Sequence, residues 1–103
     1  MALPVRLRAQ DGSGRSFLLT TGSALVGTSK GAHLCLEAKA VSRQHCEVEL
    51  TAEGVVVSDL KSRNGTFYLG HRVERIVLGP GASFAVGNVQ VTIETALDRA
   101  AIP

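Results

Sequence analysis

Short segments of alternating apolar and polar residues restrict this chain to a narrow set of folds. The alternation is clear at 5–8, at 46–50 and at 89–94. Successive side chains of a β-strand point to opposite faces of the sheet, so a period of two predicts half-buried strands. Helical periodicity is weak except in the last eight residues, 96–103. The sequence therefore predicts strands rather than helices.

Turn residues separate these segments at intervals of roughly 8 to 12 residues. The pair Gly87-Asn88 lies between two apolar segments and predicts a tight hairpin. Many short strands with regular turns are typical of an all-β sandwich or barrel. Loops at the ends of such a fold bring together residues that are distant in sequence, and function is expected there. The other turn signals are Asp11-Gly12, Gly22, Gly27–Gly31, Gly54, Asn64-Gly65, Gly70 and Gly79–Gly81.

Composition indicates one folded domain whose net charge is too small to create a strong electrostatic field. A chain of 103 residues with 45% hydrophobic and 19% charged residues can bury one core. Its formal charge of +2 comes from 11 basic and 9 acidic residues, a balance that does not predict direct binding to nucleic acid or to a membrane. No apolar run approaches the ~20 residues that span a bilayer. Any basic site must therefore be local.

The cysteine and histidine positions do not predict a metal or redox site. Cys35 and Cys46 lack CxxC spacing, and adding His33 and His45 gives no common zinc pattern. No segment resembles a secretory signal. We expect two buried or half-buried thiols, a cytoplasmic location, and neither metal nor cofactor.

The segment Gly27–Gly31 spells Gly-x-Ser-x-Gly, the pattern of a hydrolase nucleophile elbow around Ser29. That motif needs a strand, a sharp turn and then a helix. The residues that follow, 32–38, do not have a helical pattern, and the chain is too short for the usual sheet. The order Lys30-Gly31 also reverses that of a Walker loop. The sequence predicts no catalytic residue, and we expect no enzyme.

Two ordered motifs are more specific than any of these. Ser-Arg-x-His at 42–45 leads into an alternating strand, and Asp-Leu-x-Ser-x-Asn-Gly-Thr-Phe follows at 59–67. Together they resemble the forkhead-associated (FHA) domain family, from about Leu3 to Thr95. The resemblance implies a β-sandwich of about eleven strands with binding loops at one end. It places a domain at 1–95 and a tail, or the start of a linker, at 96–103.

The resemblance also implies a phosphothreonine-peptide site. Ser42 is expected to bind the phosphate, with Arg43 and Arg63 beside it, and Asn64 is expected to bind the peptide backbone. A guanidinium can hold phosphate through two parallel hydrogen bonds. The positions expected to shape and support the site are Gly27, His45, Gly65 and Thr66.

One departure from the family pattern bears on function. Thr28 stands where the family commonly has a phosphate-contacting arginine, and Leu69-Gly70 replaces a later Asn-Gly. Loss of one charge-assisted contact costs roughly 1.5 to 3 kcal/mol. Lys30, Arg43 or Arg63 could restore the charge. If none does, the domain is a scaffold with phospho-independent contacts to another domain or to another copy of itself.

The wider setting follows from resemblance alone. The partner would be a phosphothreonine protein, either a serine/threonine kinase or its substrate. The chain looks like the N-terminal module of bacterial sigma-54-dependent transcription activators. An ATPase domain and a helix-turn-helix DNA-binding domain would then follow it, and DNA contact would belong to them.

Overall fold

The computed structural model describes residues 3–96, which form eleven strands. Within these residues no helix is long and apolar enough to cross a membrane. The predicted tail lies outside the described residues apart from Ala96. The strands are β1 Val5–Ala9, β2 Ser16–Leu19, β3 Ser23–Gly27, β4 Leu34–Cys35, β5 Cys46–Thr51, β6 Gly54–Asp59, β7 Thr66–Tyr68, β8 His71–Val73, β9 Arg75–Leu78, β10 Ser83–Val86 and β11 Val89–Thr95.

The strands form two sheets, as the all-β prediction requires. One has six strands in the order β2-β1-β11-β10-β7-β8, and the other has five in the order β4-β3-β5-β6-β9. Neighbouring strands are antiparallel except β3 and β4. The predicted hairpin at Gly87-Asn88 is confirmed, with Val86 paired to Val89 across the turn.

Alternation places the core between the sheets. In β1 the side chains of Val5, Leu7 and Ala9 are at most 3% exposed, while the arginines between them are partly exposed. Strand β11 repeats the pattern with Val91 and Ile93 fully buried. Burying one such side chain contributes about 1.5 to 3 kcal/mol, so this packing fixes the register of each strand.

Strand direction gathers four loops at one end of the sandwich, called here the loop end. They are the β3–β4 loop (28–33), the β4–β5 loop (36–45), the β6–β7 loop (60–65) and the β10–β11 turn (87–88). Backbone bonds join them: the Thr28 amide donates to the Ser42 carbonyl at 3.1 Å, and the Gly87 amide donates to the Gly65 carbonyl at 3.0 Å. The prediction that the loops cluster at one end is confirmed.

Candidate binding site

A cleft of about 260 Å³ opens between the β4–β5 and β6–β7 loops. We call it the loop cleft. Its lining contains three cationic side chains and no acidic one, which suits an anionic ligand. The lining residues are Lys39, Ala40, Val41, Ser42, Arg43, Arg63 and Asn64.

Ser42 presents its hydroxyl, not its amide, to this cleft. The Ser42 amide donates to Nδ1 of His45 at 3.0 Å, while the Ser42 hydroxyl oxygen accepts the amide of Arg63 at 3.0 Å. Because the oxygen is used as an acceptor, the hydroxyl hydrogen remains available to a ligand. Among the described residues the Arg43 amide donates no hydrogen bond, so a second donor lies beside it.

His45 links the β4–β5 loop to the β6–β7 loop through its buried side chain. Its side chain is fully buried, its Nδ1 accepts the Ser42 amide, and its Nε2 lies 2.8 Å from the Gly65 carbonyl oxygen. Since the Ser42 amide can only donate, the imidazole is the neutral tautomer with its proton on Nε2, which donates to Gly65. Both ring nitrogens are occupied, so His45 acts as a structural connector.

A hydrogen-bond network around Asp59 shapes the β6–β7 loop. The carboxylate accepts the Ser62 amide at 3.0 Å, the Ser62 hydroxyl, and the Thr66 hydroxyl at 2.8 Å. The Ser62 oxygen in turn accepts the Gly65 amide at 3.0 Å. Burial alone would raise the pKa of Asp59, but these hydrogen bonds outweigh it and hold the pKa below its ordinary value. The network fixes the turn that carries Arg63 and Asn64.

Glycine is required at position 27 because the β4–β5 loop crosses directly over it. A Cβ at Gly27 would lie 2.0 Å from the Arg43 carbonyl oxygen and 2.9 Å from that of Ser42. The close approach allows the Ser29 amide to donate to Arg43 at 3.2 Å. Gly65 has a φ of +92° and would place a Cβ 2.8 Å from Nε of Arg72, so it is constrained in two ways.

Asn64 is exposed at the rim of the loop cleft with half of its amide engaged. Its Nδ2 donates to the Ala40 carbonyl at 2.9 Å, which bridges the β6–β7 and β4–β5 loops. The remaining N–H and the Oδ1 can donate to and accept from a peptide backbone. The contact with Ala40 holds the side chain in place before any ligand arrives.

Thr28 and Lys30 do not line the loop cleft. Thr28 opens into a neighbouring cleft of about 440 Å³, called here the side cleft, and Lys30 is exposed and lines neither. The structure therefore brings Arg43 and Arg63 beside Ser42, but not Lys30. It adds Lys39, which no sequence motif marks. The side cleft is lined by Thr28, Leu36, Glu37, Ala38, Lys39 and Val41.

The remaining reactive side chains have structural partners. The Ser29 hydroxyl accepts the Gly31 amide at 3.2 Å, and loop residues rather than a helix follow it. Burial, and next the nearby Asp59 charge, raise the pKa of the Cys46 thiol to about 12. Cys35 donates to the Thr28 carbonyl at 3.6 Å. Within residues 3–96 no group of three potential metal ligands comes together.

Known proteins place these features in a family. A family model described as FHA domain matches residues 24–87, more than half of the chain. The FHA domain-containing protein FhaA of Mycobacterium tuberculosis is 32% identical over 89 residues. The match covers 86% of this chain but 17% of FhaA, so the chain spans about a sixth of the length of that curated relative.

Solved structures agree with this match. One, from a structural and functional analysis of phosphothreonine-dependent FHA domain interactions, has a TM-score of 0.82 and 30% identity, covering 89% of this chain and 96% of the other. The FhaA FHA domain complexed with the intracellular domain of Rv3910 has a TM-score of 0.80 and 31% identity, covering 87% and 99%. The chain belongs to the forkhead-associated domain family.

Proposed function

We propose that this domain binds phosphothreonine peptides in the loop cleft and thereby recruits a phosphorylated protein to the protein that contains the domain. FHA domains are binding modules that recognise phosphothreonine peptides and mediate protein interactions. The observation that carries the proposal for this chain is the Ser42 hydroxyl, whose hydrogen is free to donate, in a cleft lined by cations and by no acid. A phosphate group needs such donors and such charge.

Four of the lining residues have distinct parts in the proposal. The Ser42 hydroxyl and the Arg43 amide donate to phosphate oxygens, and the Arg43 and Arg63 guanidinium groups neutralise the charge. Asn64 binds the peptide backbone next to the phosphothreonine. His45, with Gly27, Gly65 and Thr66, holds the loops without contacting the peptide. Since the interface is small, the expected affinity is micromolar.

The test is a titration of the domain with a degenerate phosphothreonine peptide library and with its unphosphorylated counterpart, followed by fluorescence anisotropy. The phosphorylated library binds and the other does not. Ser42→Ala and Arg43→Ala each weaken binding, whereas Ser23→Ala, at the opposite end of β3, leaves it unchanged. If both libraries bind equally, or if neither binds, the proposal is wrong.

A second candidate is favoured by Thr28. Without an arginine at this position the domain could serve as a scaffold with phospho-independent contacts to another domain or to another copy of itself. Analytical ultracentrifugation of the domain separates the two: self-association that is lost on Arg43→Ala and is indifferent to phosphopeptide supports the scaffold. A monomer that binds only the phosphopeptide excludes it.

We extend the proposal to the wider protein from sequence resemblance. The partner is a serine/threonine kinase or its substrate, and the setting is cytoplasmic, consistent with two free thiols. The domain spans 1–95, and 96–103 leads toward ATPase and DNA-binding domains of a sigma-54-dependent activator. The whole protein would then hydrolyse ATP at a rate that phosphopeptide changes. A whole protein without ATPase activity would contradict this setting.

A further inference from the structure

Thr28, the residue at the position of the missing arginine, does not line the loop cleft. Thr28 lines the side cleft, and its backbone is fixed by the bond from its amide to the Ser42 carbonyl at 3.1 Å. A cation that takes the place of an arginine at position 28 would stand at the boundary between the side cleft and the loop cleft. The basic residues of the loop end differ in which of the two clefts they line.

Lys39 is the charged residue that the two clefts share. It lines both of them together with Val41, while Arg43 and Arg63 line only the loop cleft. Lys30, the basic residue nearest to Thr28 in sequence, lines neither. Lys39 therefore lies at the boundary where a ligand in the loop cleft meets the position of the missing charge.

The backbone under Lys39 is held while its side chain is exposed. The Val41 amide donates to the Ala38 carbonyl at 3.1 Å and closes a turn with Lys39 and Ala40 at its centre. The Ala40 carbonyl is bonded by Asn64. A flexible four-carbon stem on a fixed turn can direct its ammonium group into either cleft.

The charge of Lys39 is not balanced by a neighbour among the described residues. The acidic residue of the side cleft, Glu37, pairs instead with Arg15 at 3.1 Å, and Lys39 makes no ion pair within residues 3–96. Its ammonium is therefore available to an incoming anion, with no existing pair to break.

We propose that Lys39 contacts the bound phosphate and supplies the charge that an arginine at position 28 would provide. The proposal rests on the proposed function, since it needs a phosphothreonine ligand in the loop cleft. It makes Lys39 a binding residue, and it leaves Lys30 as part of the solvated rim. An ammonium donates to phosphate as a point charge, so its loss weakens binding without altering the fold.

The experiment measures the affinity of one phosphothreonine peptide, selected from the library with the wild-type domain, and of its unphosphorylated form. Lys39→Met removes the charge but keeps the aliphatic part of the side chain. It lowers the affinity for the phosphopeptide by about tenfold, as expected for a lost charge-assisted contact. Lys39→Arg retains most of the affinity. The matched control Lys30→Met changes affinity less than about twofold, and all three variants keep the wild-type melting temperature because both lysines are exposed.

A double-mutant cycle tests whether positions 28 and 39 supply the same charge. Thr28→Arg restores the affinity of the Lys39→Met variant and adds less to the wild type, because the two cations serve one phosphate. If Lys39→Met binds like the wild type, or if Lys30→Met loses as much, the inference is wrong while phosphothreonine binding stands. If the wild type does not discriminate the phosphopeptide, both proposals are wrong.

Discussion

The backbone amide of Arg63 donates a hydrogen bond of 3.0 Å to the hydroxyl of Ser42, twenty-one residues earlier in the chain. The bond joins the β4–β5 and β6–β7 loops that line the loop cleft, and it sets the direction in which the Ser42 hydroxyl can donate. It couples the position of Arg63 to the side chain of Ser42, so one substitution affects both sides of the cleft.

Ser42→Ala removes this coupling together with the donor to phosphate. We expect phosphopeptide affinity to fall by about one to two decades, as a charge-assisted contact is lost. The unpaired Arg63 amide lowers the free energy of unfolding by about 1 kcal/mol. Peptide titration and urea denaturation measure the two effects. Equal affinity in Ser42→Ala and wild type would show that the hydroxyl does not contact the phosphate.

Gly27→Ala tests the crossing of the β4–β5 loop over β3. The new Cβ meets the Arg43 carbonyl at 2.0 Å, so backbone must move, and we expect a loss of about 1 to 3 kcal/mol in unfolding free energy and weaker peptide binding. Gly31→Ala is the matched control, since its Cβ meets only the Ser29 hydroxyl at 3.8 Å. Equal stability of the two variants, measured by urea denaturation, would contradict the close crossing.

Leu69→Asn should stabilise the domain. Leu69 has a φ of +52° in the two-residue turn between β7 and β8 and is 79% exposed, so it carries backbone strain with little burial to offset it. Asparagine tolerates this conformation, and we expect a gain of about 0.5 to 1 kcal/mol, read as a higher melting temperature. Leu18→Asn in β2, without a positive φ, should not stabilise the domain. A lower melting temperature for Leu69→Asn would show that Leu69 makes a contact of its own.

The Asp59 network makes stability depend on pH in a stated direction. The pKa of Asp59 is lower in the folded state, so its contribution is complete above the unfolded pKa and is lost as pH falls through the folded value. Asp59→Asn should cost about 2 kcal/mol near neutral pH and should flatten the loss of stability below about pH 4.

Urea denaturation across this pH range measures the effect, with the exposed Glu53→Gln as the control that keeps the wild-type profile. If Asp59→Asn loses stability on acidification as steeply as the wild type, another carboxylate is responsible.

Local patterns predicted the strands and the end of the fold that carries the loop cleft. Alternation identified β1 and β11, and the two ordered motifs indicated Ser42 and Asn64, which line the loop cleft, because such signals depend on neighbours in sequence. The place of Lys39 at both clefts could not be predicted from the sequence, since it depends on the turn at 38–41 and on the Asn64 contact with Ala40. Lys30 was nominated from proximity in sequence, yet it lines neither cleft.

The hydrogen-bond donors that face the loop cleft could not be predicted from the motif. The motif places a serine at position 42, but only the fold shows that its amide donates to His45 and that its hydroxyl oxygen accepts the Arg63 amide and leaves the hydroxyl hydrogen free. Likewise, the residues of the Asp59 network are present in the motif, while their shared hydrogen bonds require the turn to form first.

Recognition of phosphothreonine by the loop cleft is tested most directly by an NMR titration that follows the backbone amides with a phosphothreonine peptide and with its unphosphorylated form. We expect the phosphorylated form to shift amides of the loop cleft, at 39–43 and 63–64, and the unphosphorylated form to leave them unshifted. Phosphothreonine recognition is contradicted if the two peptides produce the same shifts. Binding in the loop cleft is contradicted if the shifts lie elsewhere, for example around the β5–β6 turn, where residues 50–55 and 77–80 with Leu3 and Val5 line a separate cleft.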